Sequence, residues 1–266
     1  MQLGQAASPW SGLQLIQIAL GGSNNRGLYA TQSRPAMRTT RKLALAGGIF
    51  YLLTFAFSLP TLVMKAPLHD PAFVLGAGDD TGVVWAALFD FLTGLTGIGT
   101  AVALYPVARR VSRTRSLGFV TSRVVEAGIL VVGALAILAM VTLHQDFAGA
   151  SGDVAASVQV SGQSLLAIHD WSFLFGPGFM AVVNAVLLGS IMYQSRLVPR
   201  WIPTLGLIGA PLLLVSDLAT LFGAVEAMTT IPSLLVLPLA TWELSLGIYL
   251  TVKGFRPSPV LDGMDD

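Results

Sequence analysis

Cysteine is absent from the 266-residue chain, and charged residues are scarce. The first absence excludes disulfide bonds, a thiolate nucleophile, and zinc or iron–sulfur sites held by cysteine. Charged residues make up 11% of the chain, against about 25% in soluble domains. This deficit and a mean hydropathy of +0.73 predict that most of the surface faces lipid. The sequence also has no phosphate-binding glycine loop, no nucleophile elbow and no nucleic-acid patch, so we expect neither a cofactor nor a nucleic-acid partner.

Six apolar runs are each long enough to cross a bilayer, which takes about 20 mostly apolar residues. The predicted spans are Leu43–Met64, Gly82–Val107, Leu117–Leu143, Leu165–Tyr193, Trp201–Phe222 and Pro232–Val252. We therefore predict an all-α, polytopic membrane protein, a six-helix transmembrane bundle that occupies residues 37–256. Its principal partner is the lipid bilayer. The sequence does not predict the oligomeric state.

The two ends of the chain fall outside this pattern. Residues 1–36 are rich in Gly, Ser, Asn and Gln, and their one apolar piece, Leu13–Leu20, is too short to span. We predict a disordered extension. Two alternatives stay open: a start at Met37, with the upstream residues untranslated, or a short interfacial helix. Residues 257–266 are predicted to form a short acidic tail.

Basic residues predict the orientation of the bundle. Thirteen Lys and Arg residues fall in the two terminal segments and the two loops that share their side, whereas Lys65 alone falls on the other side. Because basic flanks stay in the cytoplasm, both termini are predicted to be cytoplasmic. We also predict that the chain is a multi-pass protein of the cytoplasmic membrane.

Ionisable residues inside the predicted spans are the strongest functional signal. They are Asp90 in the second span, Arg123 and Glu126 in the third, His169 and Asp170 in the fourth, Asp217 in the fifth and Glu243 in the sixth. A charge at the bilayer centre costs about 2.5–3.5 kcal/mol on insertion scales, so such groups normally face the bundle interior. Arg123 and Glu126 lie three residues apart on one helix face, which predicts an intramembrane ion pair. At 1.5 Å per residue, Asp90, His169, Asp170 and Asp217 fall in the outer half.

The acids outnumber the one cation within the spans, Arg123. This excess predicts protonated carboxyls, a bound cation or a water-filled cavity. We predict that the protein binds or transports a small ligand, a cation or protons through a carboxylate-rich pocket in the outer half of the bundle. Candidate binding residues are Asp90, Asp170, Asp217 and Glu243, with His169 as a pH-sensitive member.

Two alternatives stay open. One is a metal-dependent intramembrane hydrolase with His169 and Asp170 as weak candidate ligands, although neither an H-E-x-x-H nor an H-x-x-x-H spacing occurs. The other is a non-catalytic membrane subunit whose buried polar residues only fix the register of its helices.

Several stretches resemble one known family. They are "FDFLTGLTGIGTAVALYPVARR", "SRVVEAGIL" with Arg123 and Glu126, "IHDWSFLFGPGF", the turn with Ser195, Pro199, Trp201, Ile202 and Pro203, and "LPLATWELSLGIYLTVKGF" with Glu243. In this order, from about Lys42 to Phe255, they resemble the bacterial six-helix integral membrane family catalogued as domain of unknown function 4386. The resemblance implies the fold and the membrane location, and it implies no assigned activity.

Overall fold

The computed structural model of the protein describes residues 38–225 and 230–265, without the side chains of residues 230–233. The predicted N-terminal extension lies outside the described residues. Within them the chain is helical and contains no strand. The long helices are α1 (Thr39–Met64), α2 (Thr81–Val111), α3 (Arg113–Asp146), α4 (Gly152–Phe173), α5 (Ala181–Ser195), α6 (Trp201–Leu221) and α7 (Thr230–Val252). A π-helical segment, Leu174–Met180, joins α4 directly to α5.

In the described part of the chain, six helical units are long and apolar enough to cross a membrane, with α4, the π-helical segment and α5 counting as one unit. The predicted all-α, six-span architecture is therefore confirmed. Pro60, Pro106, Pro211 and Pro238 lie inside α1, α2, α6 and α7. In a membrane, neighbouring helices and hydroxyl side chains satisfy the backbone groups that such prolines free.

The fourth helical unit begins much earlier than the apolar run indicates. The predicted spans leave residues 144–164 between the third and the fourth, but α4 starts at Gly152, and only residues 147–151 separate it from α3. The hydroxyls of Ser157, Ser161 and Ser164 each donate to a carbonyl four residues earlier, at 2.9–3.0 Å. These bonds satisfy the serine hydroxyls within the helix, so α4 extends beyond its hydrophobic part.

One end of the bundle gathers the basic segments, and we call it the basic end. Arg41 donates to the carbonyls of Leu250 (2.8 Å) and Thr251 (2.7 Å), which ties the start of α1 to the end of α7. Arg110, at the end of α2, donates to the carbonyl of Asp262 in the C-terminal tail at 2.6 Å. The opposite, acidic end carries aspartates near the helix termini. They are Asp70, Asp79, Asp80, Asp146 and Asp153.

The C-terminal tail folds back over the basic end. Its Asp265 accepts a hydrogen bond from the backbone N–H of Thr40 at 2.9 Å and one from the Thr40 hydroxyl at 2.9 Å. The tail thereby caps α1, whose N-cap residue makes no side-chain hydrogen bond of its own. Hydrogen bonds from the Thr40 backbone and side chain hold the pKa of Asp265 below its usual range.

Small residues bring the helices close together around the site. A Cβ on Gly48 of α1 would lie 2.4 Å from the hydroxyl of Thr251 in α7, and one on Gly94 of α2 would lie 3.1 Å from Ala127 in α3. Such close approach is typical of packed membrane helices. It leaves α1, α2, α3 and α7 side by side, with their polar side chains facing one another.

Candidate functional site

A cavity of about 250 Å³ lies between α1, α2, α3, the π-helical segment and α7. Its charged lining residues are Asp90, Arg123, Glu126 and Glu243, its polar ones are Thr54, Ser58, Thr61 and Thr93, and its apolar ones include Phe55, Leu59, Leu62, Leu130, Phe173 and Leu239. Two of these, Leu59 and Leu62, are also more than half exposed on the outer face of α1. The cavity thus runs from the charged interior to the apolar surface of the bundle.

Arg123 is at the centre of the charged part of the cavity. Its side chain is 96% buried. One terminal nitrogen donates to Oε2 of Glu126 at 3.0 Å, as the i, i+3 spacing predicts, and the other donates to Oε1 of Glu243 on α7 at 2.7 Å. One guanidinium therefore serves two carboxylates from two helices, which we call the Arg123 cluster. If every group in it is ionised, the cluster carries one negative charge.

Neighbouring side chains fix the geometry of the Arg123 cluster. Asn184 of α5 donates to Oε2 of Glu126 at 2.7 Å, and Ser122 donates to the amide oxygen of Asn184. The guanidinium carbon lies 5.6 Å from the ring centroid of Tyr51 on α1, within the range of a cation–π contact. The cluster thus links α1, α3, α5 and α7.

A second ion pair joins Lys65 to Asp90, which lines the cavity nearer the acidic end. Lys65, the C-cap residue of α1, contacts both carboxylate oxygens of Asp90 on α2, at 2.9 and 2.7 Å. Both residues are buried. The ammonium also lies 5.5 Å from the ring centroid of Phe173, the last residue of α4. This pair is balanced in charge, whereas the Arg123 cluster is not.

The two charged groups are separated along the helix axes. Gly97 of α2 lies against the Arg123 side chain, because a Cβ there would lie 3.6 Å from Cδ of Arg123. Asp90 is seven residues earlier on the same helix, and a rise of 1.5 Å per residue gives an axial separation of about 10 Å. Between these levels Thr93 lines the cavity, and its buried hydroxyl has no hydrogen-bond partner among the described residues.

Three of the residues predicted to share a site do not line this cavity. His169 is buried in the contact between α4 and α3, where a Cβ on Gly133 would lie 3.3 Å from its Nδ1. Asp217 of α6 is also buried, but its carboxylate faces Gly178 of the π-helical segment. Asp170 is exposed on α4. The structure therefore brings Asp90 and Glu243 to one cavity and places the other three candidates elsewhere.

The exposed position of Asp170 corrects the expectation that it faces the bundle interior. In an unbroken α-helix Asp170 would lie on nearly the same face as Asn184, because the two are 14 residues apart. The π-helical segment Leu174–Met180 intervenes, and each extra residue in a helical turn rotates the following face by about 100°. As a result Asn184 is buried while Asp170 is exposed. His169, one position earlier, takes the buried side instead.

Sequence reasoning also missed Lys65 as a member of the site. It was the single basic residue on its side of the predicted membrane and was counted only as a topology signal. A long lysine side chain at a helix end can reach several ångströms along the helix, and here it reaches inward to Asp90. Ser122 gave no signal, since isolated serines are common in membrane helices.

For the alternative of a metal-dependent enzyme, the part of the chain that the structure describes contains no cluster of metal ligands. There, no group of three or more His, Asp or Glu side chains could hold a metal ion. His144 is held by the carbonyl of Phe73 at 2.7 Å, and His69 is exposed. With His169 buried and Asp170 exposed, the two weak candidate ligands face different surroundings.

Comparison with known proteins gives one match. A family model described as "Domain of unknown function (DUF4386)" matches residues 46–254, which include most of every predicted span. The match confirms the family resemblance in the sequence. No curated protein and no solved structure matches the chain. Any function must therefore be inferred from the cavity.

Proposed function

The chain belongs to the DUF4386 family, whose description assigns no activity, and from that premise we propose that it binds a small ligand in the cavity and carries it across the membrane. The Arg123 cluster supports the proposal most directly, because helix packing alone never requires two carboxylates on one buried guanidinium. Ionisable groups inside membrane bundles commonly mark substrate, ion or proton pathways.

The cavity has the mixed lining of a ligand site. Such sites are mostly apolar, with a few polar groups that fix the orientation of the ligand. Here the leucines and phenylalanines of α1, α3 and α4 supply the apolar lining, and Asp90, Thr93 and the Arg123 cluster supply the polar groups. At about 250 Å³ the space suits a small molecule, since drug-sized sites occupy about 300–1,000 Å³.

We further propose that the basic end faces the cytoplasm and that the protein lies in the cytoplasmic membrane. The structure gathers the described basic segments at one end, and the positive-inside rule assigns that end to the cytoplasm. The Lys65–Asp90 pair then lies toward the outside. A ligand from the outside would meet this balanced pair before it reached the Arg123 cluster.

The cysteine-free chain allows a direct test of the cavity. A single cysteine at Thr93 should react with a small, charged, membrane-impermeant thiol reagent, because a wet cavity permits the thiolate to form. The matched control is Leu95→Cys on the lipid-facing side of the same helix, where the native side chain is 47% exposed. That cysteine should stay unreactive in the membrane and react after denaturation.

The same reagent tests the orientation. We expect Ser112→Cys, between α2 and α3, to react only from the cytoplasmic side and Ala150→Cys, between α3 and α4, only from outside. If Thr93→Cys is no more reactive than Leu95→Cys, the cavity is dry and the proposed function is wrong. If Ala150→Cys reacts from the cytoplasm, only the orientation is reversed.

A further inference from the structure

The cavity has more negative than positive groups within reach of a ligand. Lys65 and Asp90 cancel each other, and the Arg123 cluster has one cation for two acids. Among the residues that the structure describes, Arg123 is the one basic residue in the lining of the cavity. Its formal charge is therefore −1 when all groups are ionised. In an environment of low dielectric constant, such an excess charge is compensated by a proton or by a bound cation.

Two carboxylate oxygens are free to accept hydrogen bonds from a group that carries a positive charge. Glu126 uses Oε2 for both Arg123 and Asn184, and Glu243 uses Oε1 for Arg123. Among the described residues no donor faces Oε1 of Glu126 or Oε2 of Glu243. Glu126 is 91% buried and lines the cavity, so its unused oxygen lies where a ligand could donate to it. The partnerless hydroxyl of Thr93 provides a third polar atom in the same space.

The remaining lining constrains the rest of the ligand. Phe55, Leu59, Leu62 and Leu130 line the cavity with apolar surface, and Leu59 and Leu62 continue it to the outer face of the bundle. A fully hydrated inorganic ion would leave this surface without a partner. A molecule with a donor-bearing cationic head and a short apolar body would satisfy both parts of the site.

We propose that the ligand is a small protonated amine whose ammonium group donates to Glu126 and Glu243 and whose apolar body packs toward Leu59 and Leu62. This assignment rests on the proposed function, since it names the ligand class of the same cavity. The ammonium replaces the missing positive charge beside Arg123. Binding would thus be favoured by charge and by burial of apolar surface, and a neutral or anionic analogue would lack the first contribution.

The test uses three probes of nearly equal size and different charge: benzylamine, benzyl alcohol and benzoate. Each is added to membranes that contain the full-length Thr93→Cys protein, and the rate of thiol modification is measured. At pH 7 we expect benzylamine to slow the modification and the other two to leave it unchanged. Leu95→Cys, denatured so that its thiol is free, controls for direct reaction between the probes and the reagent.

The variant Glu243→Gln tests the charge argument. It leaves Arg123 paired with Glu126 alone, one cation with one anion, so the protein should still fold. Losing one charge-assisted hydrogen bond should weaken protection by benzylamine about 10- to 100-fold. Should this variant fail to fold, Glu126→Gln tests the same balance, and intrinsic tryptophan fluorescence establishes whether each variant is folded.

The outcomes separate the two proposals. If benzyl alcohol protects as well as benzylamine, or if Glu243→Gln leaves amine protection unchanged, the charge-based ligand class is wrong while the binding cavity stands. If none of the three probes protects a reactive Thr93→Cys, the amine class is equally overturned. If Thr93→Cys does not react at all, the proposed function itself fails.

Discussion

Replacement of Arg123 by methionine is the sharpest perturbation of the charged interior. The change keeps much of the aliphatic length of the side chain and removes the guanidinium that serves Glu126 and Glu243. Both carboxylates then remain buried without a cation within hydrogen-bonding distance, since Lys65 is already paired with Asp90.

Two independent estimates give the size of the effect. Removing one partner of a buried ion pair costs about 3–5 kcal/mol. Alternatively, the folded variant must take up one more proton than the wild type. At pH 7, protonating a glutamate of ordinary pKa costs about 3.7 kcal/mol. We therefore expect Arg123→Met to lower the free energy of unfolding by about 3–4 kcal/mol at pH 7.

The proton argument also gives a sign for the pH dependence. The folded variant binds a proton that the unfolded chain does not bind at pH 7, so its stability rises as the pH falls, by about 1.4 kcal/mol per pH unit. The gap between Arg123→Met and the wild type should narrow between pH 7 and pH 5. SDS titration in mixed detergent micelles, followed by tryptophan fluorescence, measures the free energy of unfolding at each pH.

Two further variants make this test decisive. Arg113→Met removes an exposed arginine from the same helix and should change stability by no more than about 0.5 kcal/mol. The triple variant Arg123→Met/Glu126→Gln/Glu243→Gln removes every charge of the cluster and should recover most of the loss. If Arg123→Met stays within about 1 kcal/mol of the wild type, or the triple variant recovers nothing, the reasoning is refuted.

Three further predictions concern packing and the tail. Gly48→Ala should destabilise by about 1–3 kcal/mol in the same SDS titration, because its Cβ would overlap α7. Gly128→Ala, where nothing lies within 4 Å, should be neutral or slightly stabilising. Gly178→Ala should also destabilise, since its Cβ would lie 2.9 Å from Asp217 Oδ2, and adding Asp217→Ala should relieve the loss. Because folding lowers the pKa of Asp265, its stabilisation is fully present above pH about 4 and is lost as the pH falls through the lowered folded pKa. Melting temperatures of the wild type and Asp265→Asn should therefore differ at pH 6 and approach each other as the pH falls below about 4.

The spans were predictable because each is a signal averaged over about 20 residues. The pairing of Arg123 with Glu126 was equally predictable, since both lie on one helix face and their spacing fixes the contact. Glu243 could be placed inside the bundle by its cost in lipid. Its contact with Arg123 could not be predicted, because it depends on which helices pack together, and hydropathy carries no information on that point.

The wrong placement of Asp170 has a different origin. A constant period of 3.6 residues per turn is what predicts which side chains of a helix face the bundle interior. A π-helical segment breaks that period without changing the hydropathy. The sequence Gly-Pro-Gly within Leu174–Met180 marks the position of the irregularity, because Pro177 cannot donate within the helix. It does not reveal how far the following face rotates. One irregular turn is therefore enough to expose Asp170 and to bury His169 instead.

The two charged groups of the cavity also bear on the idea that buried polar residues serve only helix register. The Lys65–Asp90 pair fits that idea, since it is balanced and both carboxylate oxygens contact the ammonium. The Arg123 cluster does not fit it. Register between α3 and α7 would be fixed as well by Arg123 and Glu243 alone, and Glu126, on the same helix as Arg123, brings a second buried acid whose charge has no cation of its own. A cluster that only fixed the register of the helices would gain nothing from this excess negative charge. A site that binds a cationic ligand uses the same charge to attract the ligand.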